Sequence, residues 1–78
     1  MQVNQKMVEM YHSIVKAMNE LKALKAQVKI DTIEQMQFFL SEQYPICRQK
    51  EVEVMDYLAC FEDEFGETFF EAHKRLAI

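Results

Sequence analysis

From Val3 to Val28 the residues Val3, Met7, Met10, Ile14, Ala17, Leu21, Leu24 and Val28 alternate in spacings of four and three without a miss. That repeat puts every member on one seam of an α-helix, whereas a strand would send successive side chains to opposite faces. The spacing predicts a helix over residues 3–29, about 40 Å long at roughly 1.5 Å per residue. A second stripe, Val8, Tyr11, Val15 and Met18, runs beside the seam in the N-terminal half. The apolar face there is wider than a two-stranded coiled coil requires, so this stripe is expected to meet a further surface.

Punctuation is sparse. One Gly and one Pro in 78 residues argue for long helices and against a many-stranded β fold. Asp31 with Glu34, or Thr32 with Gln35, makes a capping-box pattern ahead of Ile33, Met36, Phe39 and Leu40. Pro45 is expected to push Tyr44 out of the α region and to end this second helix, about 32–43, near Gln43. Pro45 also suits the first turn of a third helix, whose seam runs through Cys47, Val54, Leu58, Phe61, Phe65 and Ala72. Glu51 and Thr68 are its polar members, and Met55, Phe69 and Leu76 flank it. That C-terminal helix, about 46–77, is either continuous or broken at Gly66, since Thr68 and Glu71 offer another capping box. The chain reads as one all-α domain over residues 1–78, a small helical bundle with a long amphipathic first helix.

Half of the residues are apolar, including six Phe, three Tyr and six Met. So short a chain has too little interior for them, and homodimerisation is the simplest remedy. The net charge of −4 is uneven: +3 over residues 1–30, −3 over 31–45 and −4 over 46–78. No apolar leader stretch and no span of bilayer length is present, so a cytoplasmic location and no membrane association are expected. Cys47 and Cys60 fit no zinc spacing and are expected to be buried free thiols.

The segment FEDEFGETFFEAHKRL, residues 61–76, is the one stretch dense enough in carboxylates to suggest chemistry. An EF-hand register with Gly66 at its glycine position puts Phe61, Phe65 and Ala72 where oxygen ligands belong. A carboxylate-bridged di-metal bundle needs two Glu-x-x-His units, and only Glu9 with His12 qualifies. A Cys–His nucleophile would lack a glycine-rich turn, and phosphate-cradling loops need several glycines. No enzyme activity, metal or cofactor is therefore expected, and Phe61, Phe65 and Phe69 read as one aromatic ridge.

Phe69 and Phe70 differ by about 100° around a helix and cannot share that ridge, as is also true of Phe38 and Phe39. Phe70, rimmed by Glu67, Glu71 and Lys74, has the make-up of an interface anchor. With Val8, Tyr11, Val15, Met18 and Phe38 it forms the candidate protein interface. The expected function is a small helical interaction module (a regulator, inhibitor or assembly and chaperone factor) that meets itself and another, unidentified protein. Direct nucleic-acid binding is not expected of an acidic domain without Arg clusters. The alternative is an acidic mimic of nucleic acid that occupies the basic site of a DNA- or RNA-binding protein.

Overall fold

In the computed structural model, which describes residues 5–76, the seam builds helix α1, Gln5–Ala26. The expected start at Val3 lies outside the described residues. The end falls short of residue 29. Gln27 and Val28 donate to the carbonyls of Leu24 and Lys25, three residues back, which tightens and closes the last turn. Val28 then leaves the helix and lines a groove with Phe39, Tyr44 and Cys47.

Thr32 starts helix α2, Ile33–Phe38, as a full capping box: its hydroxyl accepts from Gln35 N–H, and Gln35 Oε1 accepts from Thr32 N–H. The expected stop near Gln43 does not occur. A π-helical turn, Phe39–Gln43, carries the chain directly into α3, Tyr44–Phe65, and Tyr44 stays in the α region at φ −60°, ψ −46°. The reason is local. A proline ring crowds the carbonyl four residues back and offers no N–H. Here the turn is widened, Tyr44 N–H reaches Phe39 O, and Pro45 sits in the first turn of α3, where its missing donor costs little.

Gly66 breaks the C-terminal segment. It adopts the left-handed conformation at φ 72° and its N–H closes on Glu62 O at 2.9 Å, the usual glycine stop of a helix. Thr68 then caps α4, Phe69–Leu76: its hydroxyl accepts from Glu71 N–H, and its own N–H reaches Glu71 Oε1.

The described residues are all-α, with no strand. Ion pairs Lys6–Glu64, Glu20–Lys50 and Lys25–Glu51 set α1 antiparallel to α3, and α4 folds back over their shared end. Ile14 and Phe61 are fully buried and are joined by Met7, Tyr11, Phe69 and Ala72, with Leu58 and Phe65 packed against them. Further along, Ala17, Cys47 and Val54 are buried as well. Cys47, Val54 and Phe61 recur every seven residues, as the seam requires. Leu21 is half-buried outside the main cluster, because the ion-pair register sets it beyond the level of Leu58. Cys60 is exposed, not buried as expected, since it lies one residue off the Phe61 seam. Among the described residues, no helix is long and apolar enough to cross a membrane.

A methyl group added at Gly66 would meet nothing within 4 Å, so strain at positive φ is the only cost of Gly66→Ala. Chemical denaturation should show a loss of about 1–2 kcal/mol.

Candidate protein-interaction surface

Helix α4 is held to α1 by three contacts, and together they decide which of its faces looks outward. Phe69 stacks on Tyr11 with centroids 5.1 Å apart and meets Phe61 edge-on at 6.2 Å. Tyr11 Oη lies 2.7 Å from His73 Nδ1 in a hydrogen bond. Arg75 reaches Met7 Sδ at 3.8 Å and Glu67 Oε1 at 2.9 Å. With Phe69 turned inward, Phe70 is 62% exposed and its ring stands edge-on to Phe69.

Two shallow grooves flank Phe70. One, of about 330 Å³, is lined on the α3 side by Met55, Leu58, Ala59 and Glu62. The other, of about 300 Å³, is lined on the α1 side by Val15, Met18 and Asn19, with His73 at its edge. The result is an apolar ridge between two troughs.

The expected interface residues separate accordingly. Val15, Met18 and Phe70 come together, and Val8 is half-buried on the same helix. Phe38 is exposed at the other end of the molecule. Tyr11 is a correction: it is buried in the core, because α4 covers its side of α1. Glu67 is mostly covered, and its buried Oε1 is neutralised by Arg75 without hydrogen-bond alignment. Glu71 is exposed but committed to capping Thr68, and Lys74 is exposed beside it. Met55, at 61% exposure, was set beside the seam and instead belongs to the surface.

A second polar group staples α1 to α3. Lys50 bonds Glu53 and Glu20, and these carboxylates hold its ammonium above the usual lysine range. Glu53 is lowered in turn by Lys50, and the tyrosine hydroxyl of Tyr57 is raised by its hydrogen bond to Glu53. His12 meets the edge of the Tyr11 ring, and no group of three or more potential metal ligands occurs among the described residues. Comparison with protein-family models, curated proteins and solved structures returns no match.

The backbone and hydroxyl of Thr68 hold Glu71 below the ordinary carboxylate range. A lowered folded value contributes stability that is complete above the unfolded value and is lost as pH falls through the folded one. Helicity followed by circular dichroism should therefore hold at neutral pH and show an acid loss from this cap below about pH 4. Glu71→Gln, which keeps an acceptor for Thr68, should remove that component.

Proposed function

We propose that this chain is a non-enzymatic protein–protein interaction module, a small helical regulator, inhibitor or assembly factor, acting as a homodimer through its apolar face. One observation carries the reading, the surplus of surface. The chain exposes 5926 Å² at 9.3 kDa, where a compact monomer of that mass exposes about 5,000 Å². Its radius of gyration is 15.9 Å, against about 12 Å for a compact domain of this length. Much of the surplus is large and apolar, including Phe70, Met55, Leu40, Tyr44 and Ile46. An exposed aromatic beside apolar troughs is the usual form of an interaction anchor.

The acidic-mimic reading draws less support. A mimic needs its carboxylates free for a basic partner, yet Glu64 pairs with Lys6, Glu67 with Arg75, and Glu71 caps α4. Salt separates the two. An apolar interface should change little in affinity as ionic strength rises, whereas a mimic should lose affinity steeply.

Phe70→Ala should shift unfolding free energy by no more than about 0.5 kcal/mol while weakening self-association measured by sedimentation. Phe61→Ala, at a fully buried position, should cost about 3–5 kcal/mol. Equal destabilisation by the two substitutions would place Phe70 in the core and remove the anchor.

A further inference from the structure

The helical path beginning at Ile33 outruns the helix it packs on. From Ile33 to Phe65 no residue interrupts it, so it is about 50 Å long, nearly the molecule's full 53 Å. Helix α1 covers only about 33 Å, and Lys25–Glu51 is its last ion pair to the path. The six residues of α2 and the five of the π turn therefore stand beyond α1 as an arm, and none of them is buried. Helical stability in proteins comes mostly from packing an apolar face, and this arm packs little of its own. It needs a cover.

Along the path, Ile33, Met36, Leu40, Tyr44, Val52 and Met55 are exposed and separated by three, four or eight positions, the spacing of one helical face. Met55 carries this stripe into the groove beside Phe70. One end of the rod thus offers an apolar arm, and the other offers an apolar groove.

We infer that the cover is a second copy of this chain, the two helical paths pairing antiparallel about a two-fold axis near Gln49. This rests on the homodimer reading above and assigns it a register. Gln49 is the midpoint of Ile33–Phe65, and an axis there overlaps the two paths completely. Leu40 lies nine positions before it and Leu58 nine after. The operator therefore sets the Leu40 of each arm at the level of the other copy's Phe70 groove. Both patches are used twice and the assembly closes, leaving no free end to propagate.

Area agrees with this pairing. The surplus surface, about 900 Å² by the comparison above, is close to the roughly 800 Å² that each partner contributes to a standard interface. The arm carries Glu34 and Glu42 and no base, and Asp31 ahead of it pairs with Lys29.

Complementation tests the register. Light scattering on the intact chain should give twice 9.3 kDa at tens of micromolar. Leu40→Glu and Phe70→Glu should each weaken dimerisation by about a hundredfold or more, because a carboxylate is forced into an apolar contact. Mixing the two variants should restore a heterodimer, since one arm–groove contact is then intact. A Leu40→Glu chain that dimerises normally, or a mixture that does not recover, overturns the register and leaves the homodimer reading standing. A wild-type monomer overturns both. Circular dichroism identifies a variant that fails to fold, and the decision then passes to the unaltered chain. Zero-length carbodiimide coupling of mixed isotope-labelled and unlabelled protein should join a carboxylate of the arm, Glu34 or Glu42, to a lysine of the other copy. Links between copies that never involve the arm overturn the inference.

Discussion

The buried cluster that holds Ile14 of α1 and Phe61 of α3, both withdrawn from solvent, is what the remaining structure is built around. It brings the two long helices together near one end of the rod. The platform it creates, with Tyr11 and Phe69 stacked above Phe61, is where α4 docks. The core is thin: among the described residues, only Ala17, Cys47 and Val54 are buried besides this cluster. Two antiparallel helices touch along a line, and a fourth of eight residues covers only one end of it. The apolar residues on the other faces are therefore left exposed by geometry, and not by any shortage of hydrophobicity.

Gly66 links that packing to the candidate function. A continuous helix would have carried Phe69 and Phe70 onward along the axis of α3. The left-handed turn at Gly66 and the Thr68–Glu71 cap instead start a new helix whose inward face is chosen by Tyr11, His73 and Met7. Phe69 takes the buried place, and its neighbour points outward between two troughs. A backbone conformation that costs glycine little is thus what turns a run of phenylalanines into one core residue and one surface anchor.

Electrostatics play a positional part. Lys6, Lys25 and Lys50 tie α1 to α3, and Arg75 neutralises Glu67 beneath α4. Exposed pairs of this kind contribute about 0–1 kcal/mol each, so they select the antiparallel arrangement more than they stabilise it. Lys6 and Lys25 of the basic first third pair with carboxylates of the acidic last third. The arm keeps its negative charge unanswered, with Glu34 and Glu42 outside every ion pair among the described residues.

Most of the fold was legible from residues a few positions apart. The α1 seam, the capping boxes and the Cys47–Val54–Phe61 repeat depend on local hydrogen bonds and helical phase, which sequence spacing records directly, whereas the same spacing left the helix at Gly66 either continuous or broken. Pro45 was read locally too and misled, because a π turn can absorb a proline that an α turn cannot, and no short-range signal distinguishes them. Tyr11, Glu67 and Met55 could not be placed by spacing at all. Tyr11 and Met55 lie on the boundary between two helical faces and Glu67 in the turn between α3 and α4, and whether each is core or surface depends on where α4 lands. The sequence alone determined the helices, their caps and the excess of apolar side chains. Contacts across more than fifty residues, Tyr11 with His73 and Met7 with Arg75, determined which of those side chains remained for a partner, because burial is a property of the assembled surface and not of any one helix.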